Sequence, residues 1–337
     1  MENRILYVSQ EDIIKSGCLN VEDTLAVVRD VIRGYADGKV LFPDKISQIF
    51  DEQTQNRINC LPATLLDEQI CGMKWVSVFP TNARIGLPNL SAVIVLSSIQ
   101  TGFPVAFLDA TVCSNLRTAG VSTIAAQYLA PEHPTAVGFV GAGQQARYHF
   151  YMLKHQFPEI KKCYISSRTE TSEQEFADAF RAQYPDVEFI LCKGNYETAV
   201  RNSHIVVSAI SGQAPLIKAE WIDKGMLYLH IGGWEDEYGV PLKASKIVCD
   251  KWDAVKHRTQ TVSRLYKAGQ LHDEDIYCDI DDLVAGKVPG RTDPEEFIYF
   301  NAVGLSYVDI ALANHLYKTC DRKGNGIALP LSTQPIF

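Results

Sequence analysis

Hydrophobic positions early in the chain recur with a helical period and then with a strand-like one. Residues 21–35 carry apolar side chains three or four positions apart, and this pattern stops at Gly38. Such spacing before a glycine predicts an amphipathic helix. Short apolar runs typical of strands follow at residues 45–50, 57–62, 71–79, 91–97 and 105–108. Because the last two runs flank turn-forming residues 100–104, they predict a hairpin, and this half predicts an α+β domain with a largely antiparallel sheet.

From about residue 115 the pattern becomes a regular alternation. A helical segment at residues 115–129 precedes strand-like segments at 136–140, 162–166, 187–192, 204–209, 227–231 and 246–250, and helical segments at 145–157, 172–184 and 196–202. Strands that alternate with helices predict a parallel sheet covered on both faces. We therefore expect an α/β fold: a Rossmann-type doubly wound parallel sheet over residues 118–303. A last helical segment, residues 308–319, returns to the first half and makes the α+β domain discontinuous, with residues 1–117 and 304–337.

Composition and charge narrow the function classes. The 337 residues are 46% apolar and 21% charged, as in ordinary globular proteins. The net charge of −8 disfavours a nucleic-acid partner, which needs a basic face. No apolar run approaches the roughly 18 residues that span a bilayer, and no export signal is visible, so we expect a cytoplasmic protein without membrane contact. The cysteines form no CxxC pair and the histidines no HxxxH pattern, so no disulfide framework or metal site is predicted.

A glycine-rich turn follows the first strand of the alternating half. Gly141 and Gly143 begin a G-x-G-x-x-A pattern that ends at Ala146, after an apolar strand and before a helix. The first glycine allows a tight turn, the second lets a pyrophosphate approach the backbone, and the alanine allows close packing of helix on strand. The helix N-terminus then offers free N–H groups to the anion. The pattern predicts a dinucleotide site; the alternative is a purely structural glycine turn.

The end of the next strand indicates which dinucleotide is bound. Proteins that bind NAD usually place Asp or Glu there, whereas this chain has Ser166, Ser167, Arg168 and Thr169. Hydroxyls and a guanidinium bind a 2′-phosphate that a carboxylate would repel. NADP(H) is therefore favoured and NAD(H) is possible. The alternative is that Arg168 is a solvated loop residue and either cofactor is accepted.

Basic residues of the first half are candidates for substrate chemistry. Lys74 lies inside an apolar run, and burial would lower its pKa into a range useful for proton transfer. The alternative is a strand residue that faces solvent. Arg117 with Thr118 stands at the entry to the nucleotide domain, where a phosphate or carboxylate could bind. Lys45 and Arg57 could bind carboxylates or be ordinary solvated charges.

With these residues located, the chain resembles the ornithine cyclodeaminase/mu-crystallin family over nearly its whole length. The segments that carry the resemblance are residues 72–76, 108–110, 115–119, 141–145 and 303–305, followed by Asp309. The resemblance implies a homodimer built through the α+β domain, which then serves as the substrate and dimerisation domain. It also implies an NAD(P)-dependent oxidoreductase whose partner is a small amino acid or imine.

The resemblance also implies roles for individual residues. Lys74 matches the active-site lysine. The residues expected to bind substrate are Lys45, Arg57, Arg117 and Val303. The residues expected to bind the cofactor are Arg117, Thr118, Gly141, Gly143, Gln144, Gln145, Ser167, Arg168, Thr169, Ser208, Ser211 and Gly232.

Two positions depart from the cyclodeaminases. Asn59 stands where they have an acid, and Trp234 stands where they have an aspartate after a Gly-Gly pair, with Glu235 and Asp236 one and two steps later. Both acids would assist amine chemistry on ornithine, so cyclodeaminase activity is disfavoured.

Other features resemble the N-(2-amino-2-carboxyethyl)-L-glutamate dehydrogenase branch, which makes 2,3-diaminopropionate. They are Arg57-Ile58, Asp250 with Trp252, residues 288–291 with Asp293, and Asn301. We therefore expect oxidative hydrolysis of such a conjugate to 2,3-diaminopropionate and 2-oxoglutarate. The alternatives are an NADPH-dependent cyclic ketimine or imino-acid reductase, an ornithine cyclodeaminase, or a non-catalytic nucleotide-binding protein.

Overall fold

A computed structural model describes most of the chain, namely residues 4–51, 53–54, 56–210 and 213–331. The chain divides into two compact units. They are Met1–Arg117 with Leu305–Phe337, and Thr118–Gly304. The division lies at the first predicted boundary and one residue from the second.

Both units contain strands and helices. The strands are β1 (Arg4–Val8), β2 (Val40–Leu41), β3 (Ile46–Asp51), β4 (Asn56–Leu65), β5 (Ile70–Val78), β6 (Leu90–Ser98), β7 (Pro104–Asp109), β8 (Ala136–Val140), β9 (Lys162–Ser166), β10 (Glu188–Leu191), β11 (Ile205–Ser208), β12 (Gln213–Ile217), β13 (Leu227–His230), β14 (Trp234–Asp236), β15 (Lys246–Cys249), β16 (Ile276–Asp279), β17 (Ile298–Asn301) and β18 (Ile327–Pro330). The helices are α1 (Gln10–Lys15), α2 (Val21–Ala36), α3 (Thr111–Leu129), α4 (Gln144–Gln156), α5 (Glu170–Arg181), α6 (Tyr196–Arg201), α7 (Gly239–Leu242), α8 (Trp252–Val255), α9 (Thr261–Lys267), α10 (Ile280–Val284) and α11 (Ser306–Lys323).

The first unit is built on a mixed sheet with the order β18-β1-β7-β6-β5-β4-β2, and β3 pairs with β4. Most neighbours are antiparallel, while β1 and β7 are parallel. The antiparallel pairing of β6 with β7 confirms the predicted hairpin. Along β6, Ala92, Ile94 and Leu96 are buried at every second position, which is the period of a strand with one face on a core. α11 packs on β4, β5 and β6 and covers that face.

The second unit is a parallel sheet with the order β10-β9-β8-β11-β13-β17-β15-β16. The order runs outward in both directions from β8, which confirms the predicted doubly wound fold. The central strands are buried at every position, as expected when helices cover both faces. β17 lies between β13 and β15 and was not predicted. Its four residues are too few to show a period.

The helix predicted at residues 115–129 begins four residues earlier, at Thr111. The carboxylate of Asp109 accepts hydrogen bonds from the Thr111 backbone N–H at 3.0 Å and from its hydroxyl at 3.2 Å. An acceptor just before the first turn satisfies an N–H that has no partner within the helix. Hydrophobic spacing alone does not show this start.

The described residues contain no helix that is both long and apolar enough to cross a membrane. Among these same residues, no group of three or more His, Cys, Asp or Glu side chains is arranged to hold a metal ion. The nine cysteines all lie in the described part of the chain and are free thiols.

Close packing at Gly138 in β8 makes the second unit sensitive to one added methyl group. A Cβ there would lie 2.1 Å from the Ala199 carbonyl oxygen in α6 and 2.5 Å from the Ser203 hydroxyl. We expect Gly138→Ala to lower the free energy of unfolding by about 1–3 kcal/mol, measured by chemical denaturation. Gly34→Ala in α2 is the control, because nothing lies within 4 Å of its added Cβ and alanine favours helices. Equal stabilities of the two variants would contradict this account.

Candidate active site

β5 carries Lys74 into the interior of the first unit. The Lys74 side chain is 2% exposed, so the solvent-facing alternative is wrong. Its neighbour Met73 points to the other face and is 37% exposed, as strand alternation requires. A Cβ on Gly72 would lie 3.0 Å from the Ile310 side chain of α11. The absence of a side chain at Gly72 therefore lets α11 lie close against β5, above Lys74.

Asp309 of α11 is the counter-ion of Lys74. The Lys74 Nζ donates to Asp309 Oδ1 at 2.6 Å, and the Arg117 Nε donates to the same oxygen at 2.9 Å. Asp309 is fully buried and Arg117 is 12% exposed. Among the described residues, Asp309 Oδ2 has no hydrogen-bond partner. These three residues form the Lys74–Asp309–Arg117 cluster, whose two cations and one anion suit a substrate carboxylate.

The environment of Lys74 tunes its proton affinity. Burial lowers the pKa of Lys74 from its ordinary value of 10.5 to about 8, and the neighbouring Arg117 cation lowers it as well, while Asp309 opposes both effects. A lysine with such a pKa exchanges a proton near neutral pH, which is the range needed for acid–base catalysis.

Asp309 is the functional residue whose role sequence reasoning missed, although it was part of the family resemblance. The available signal was an acid inside a helix face of buried residues: Val308 and Ile310 flank it, and both are fully buried. A carboxylate in such a run needs a cationic partner. The position of α11 is fixed in part by the Ser306 hydroxyl, which donates to the Pro62 carbonyl of β4 at 2.6 Å.

Arg57, a predicted substrate residue, lies in the same sheet as Lys74. In the β4–β5 register Lys74 is opposite Leu61, and residues two apart on a strand share a face. Arg57 and Asn59 therefore lie on the same face as Lys74. Arg57 is half-buried, and burial lowers its pKa, while Asn59 is only 6% exposed. Lys45 lies directly before β3 and is half-buried.

In the second unit, the glycine turn has the geometry that a pyrophosphate needs. Gly141 has a φ of +109°, and a Cβ there would lie 2.7 Å from the Ala209 carbonyl oxygen. Gly143 is the N-cap of α4 and makes no side-chain capping bond. A Cβ on Gly143 would meet nothing within 4 Å, so the space before the helix N-terminus is open. The first N–H groups of α4 face that space, and the site fits a dinucleotide.

The residues expected at the 2′-position lie between β9 and α5. Ser167 is buried and donates its hydroxyl to the Thr169 carbonyl at 2.9 Å. Thr169 caps α5 by accepting from the Ser172 N–H. The Arg168 side chain is exposed. Ser167 and Thr169 use their hydroxyls within the loop, whereas the Arg168 side chain extends into solvent.

The other predicted cofactor and substrate residues have varied surroundings. Ser208 is fully buried and donates to Glu235 Oε1 at 2.6 Å. Gly232 packs against the same carboxylate. Val303 follows β17 and donates its N–H to Asp250 at 2.7 Å. Ser211 lies outside the described residues. The remaining predicted positions lie on helices: Thr118 on α3, with Gln144 and Gln145 in the first turn of α4.

The profile of the ornithine cyclodeaminase/mu-crystallin family matches residues 7–324 of this sequence. The chain belongs to this family. The predicted resemblance is thereby confirmed.

Individual relatives match the chain along almost its full length. N-((2S)-2-amino-2-carboxyethyl)-L-glutamate dehydrogenase of Staphylococcus aureus is 26% identical over 336 residues, covering 98% of this chain and 100% of the relative. Δ1-Pyrroline-2-carboxylate reductase of Thermococcus litoralis, solved with NADH and L-proline, is 25% identical with a TM-score of 0.91 over 96% of this chain and 100% of that one. An archaeal alanine dehydrogenase dimer, solved with NAD, is 28% identical with a TM-score of 0.89 over 98% and 100%. These names agree with the predicted oxidoreductase class, and the folds confirm the Rossmann-type architecture.

Removal of the buried carboxylate gives a direct test of the cluster. We expect Asp309→Asn to lower the pKa of Lys74 below about 8, because burial and Arg117 then act without an opposing anion. NMR titration of protein labelled at the lysine Cε measures this pKa. Asp321→Asn, at the exposed end of the same helix, is the control and leaves it unchanged. A Lys74 pKa that stays constant or rises in Asp309→Asn would show that the carboxylate does not stabilise the ammonium.

Proposed function

We propose that this protein oxidises an N-(2-amino-2-carboxyethyl)-L-glutamate-type conjugate and releases 2,3-diaminopropionate and 2-oxoglutarate. The broader activity, an NAD(P)-dependent oxidoreductase acting on an amino-acid C–N bond, follows from the family and its named members. The buried Lys74–Asp309–Arg117 cluster carries the finer proposal, since it joins a carboxylate site to a proton-exchanging amine. Full-length similarity to the Staphylococcus aureus dehydrogenase supports the choice of substrate.

In the first unit, different residues bind the substrate and transfer the proton. A bound nicotinamide would accept the hydride that leaves the α-carbon of the glutamate part of the substrate. Water would then hydrolyse the resulting imine to 2-oxoglutarate and 2,3-diaminopropionate. Lys74 in its neutral form takes the proton from that water, and Asp309 holds its Nζ in place. Arg117 binds the carboxylate next to the reacting carbon. The conjugate has further carboxylates, for which Lys45 and Arg57 are the proposed partners.

The residues of the second unit bind the cofactor. The predicted cofactor class, a pyridine nucleotide, is confirmed by the NADH and NAD in the two solved relatives. We propose that NADP(H) is preferred here, and Arg168 with its exposed guanidinium is the partner for the 2′-phosphate. The turn at Gly141 and Gly143 and the start of α4 bind the pyrophosphate.

Nucleotide selectivity tests the role of Arg168. We expect Arg168→Ala to weaken NADPH binding by about tenfold, the effect of losing one charged contact to phosphate, and to leave NADH affinity within about twofold. Quenching of tryptophan fluorescence measures both dissociation constants. Arg201→Ala is the control, because Arg201 is an exposed arginine of α6 that pairs with Glu197. Equal losses for NADH and NADPH would refute the 2′-phosphate contact.

If Lys74 transfers a proton, its replacement lowers the turnover rate and leaves the affinity for the nucleotide unchanged. We expect Lys74→Met to lower kcat for conjugate oxidation by about 10²–10⁴-fold while nucleotide affinity is retained. In the wild type, kcat/KM for oxidation rises with pH through about 8, because the neutral amine is the active form. Nicotinamide absorbance follows the reaction. Lys318→Met, an exposed lysine of α11, is the control and keeps full activity; a similarly active Lys74→Met would remove Lys74 from the mechanism.

A cyclic imino-acid reductase is the second candidate, favoured by the TM-score of 0.91 to the Thermococcus litoralis reductase. Reduction requires a proton donor, so its rate would fall as pH rises through the Lys74 pKa, the opposite direction to oxidation. An assay of the conjugate, Δ1-pyrroline-2-carboxylate, L-alanine and L-ornithine separates the candidates. The highest kcat/KM with the conjugate supports the proposal, and the highest value with any other compound overturns it.

We also propose that the protein is a homodimer. The archaeal alanine dehydrogenase is a dimer, and β3 of this chain presents Ile46, Ile49 and Phe50 at 46–63% exposure. An apolar surface of this kind favours association with a second copy. Sedimentation equilibrium gives the mass directly.

A further inference from the structure

Glu235 is a fully buried carboxylate in the second unit that the proposed mechanism does not use. Its oxygens accept three hydrogen bonds: from the Ser208 hydroxyl at 2.6 Å, from the Ile210 N–H at 3.2 Å and from the Gly232 N–H at 3.2 Å. The His230 Nε2 also lies 3.7 Å from Oε1, a contact that becomes an ion pair when the imidazole is protonated. Burying a carboxylate costs free energy unless hydrogen bonds satisfy its oxygens. The groups that donate to Glu235 therefore indicate its role.

Two of these contacts reach the backbone of two different loops. Ile210 follows β11, and Gly232 follows β13, which is the next strand in the sheet. Ligands of doubly wound sheets bind beyond the carboxyl ends of the strands, and each half of the sheet takes one nucleotide. β8, β9 and β10 form the half with the glycine turn, so β11 and β13 belong to the nicotinamide half. Glu235 therefore holds together the two loops that border the nicotinamide nucleotide.

Two further features make this arrangement rigid. A Cβ on Gly232 would lie 2.3 Å from Glu235 Oε2 and 2.4 Å from the Ile210 carbonyl oxygen, so the loops are in close contact around the carboxylate. Gln260 Nε2 donates to the Gly232 carbonyl at 2.8 Å and to the Ala302 carbonyl, after β17, at 3.0 Å. The loop after β13 is thus held from both sides by buried side chains.

The adenosine half has an equivalent residue, which serves as an internal comparison. Glu173 of α5 is fully buried and accepts from the N–H groups of Ser167 at 2.8 Å, Lys193 at 2.8 Å and Gly194 at 2.9 Å. Those residues follow β9 and β10. In each nucleotide half, a buried glutamate therefore joins two loops at the carboxyl edge of the sheet.

We propose that Glu235 is a positioning residue for the reaction: by holding the loops after β11 and β13, it shapes the site for the nicotinamide nucleotide without touching substrate. The proposal rests on the proposed function, because it assumes a bound pyridine nucleotide. Glu235 acts on one half of the cofactor, and this selectivity distinguishes a positioning role from a general contribution to stability.

The test compares whole and partial cofactors with Glu235→Gln, which keeps the size and removes the charge. We expect the dissociation constants of NADH and NADPH to rise about tenfold or more, the effect of weakening hydrogen bonds to a charged acceptor. Those of ADP and its 2′-phosphorylated form, which lack the nicotinamide nucleotide, stay within about twofold. Burial raises the pKa of Glu235 to about 7, so the titrations are done well above that pH. Calorimetry measures binding, and thermal unfolding verifies the fold.

Matched variants separate the possible outcomes. Glu173→Gln is expected to weaken ADP and the full dinucleotides by the same factor. Glu237→Gln is expected to change neither, because the Glu237 carboxylate accepts from the Ala219 N–H and makes no contact with the loops after β11 and β13 among the described residues. Gln260→Met removes the second link to the loop after β13 and is expected to weaken the dinucleotides selectively, as Glu235→Gln does. It provides the same test if the Glu235 variant does not fold.

Three results would overturn the proposal. Unchanged dinucleotide affinity in Glu235→Gln, beside normal binding by the wild type, refutes the positioning role and leaves the proposed function intact. An equal loss of affinity for ADP and for the dinucleotides would show that Glu235 contributes only to the stability of the unit. Failure of the wild type to bind either dinucleotide overturns the proposed function together with this inference.

Discussion

Asp309 holds two cations with one oxygen atom in the interior of the first unit. Without an anion there, the buried Lys74 ammonium would lose its proton and Arg117 would have a buried charge without a partner. With it, the Lys74 pKa lies near neutral pH and the guanidinium is held in one orientation. The arrangement depends on the close approach of α11 to β5 at Gly72. Substrate chemistry in this unit therefore depends on the packing of one helix on one sheet.

The second unit uses buried carboxylates in a different way. Glu173 and Glu235 accept backbone N–H groups from loops at the carboxyl edge of the parallel sheet, and Asp250 does the same for Val303 and Gly304. Loops at this edge cannot satisfy all their N–H groups by strand pairing. Buried carboxyl groups complete those bonds and limit the conformations of the loops, which favours a preformed cofactor site.

The two units were not equally predictable. The alternation of strands and helices and the G-x-G-x-x-A turn identify the nucleotide domain because each feature is local in sequence. β17 was missed because four buried residues show no period, and the start of α3 was misplaced because the Asp109 cap is a hydrogen bond and not a hydrophobic signal. Ser208 was predicted as a cofactor residue, and the sequence did not show that its hydroxyl donates to a carboxylate 27 residues away. Such partners are set by tertiary contacts.

Lys74 illustrates which properties follow from the sequence and which follow only from the tertiary structure. The sequence by itself determined that a lysine interrupts an apolar strand and that a glycine turn precedes a helix. It also determined that no apolar run is long enough to span a bilayer. These features could be predicted because composition and periodicity are properties of neighbouring residues. The sequence left open whether Lys74 faces solvent or core. Only the tertiary structure decided this, by placing Asp309 2.6 Å away across 235 positions of sequence. Charge and burial depend on distances through space, and those are settled when the chain packs.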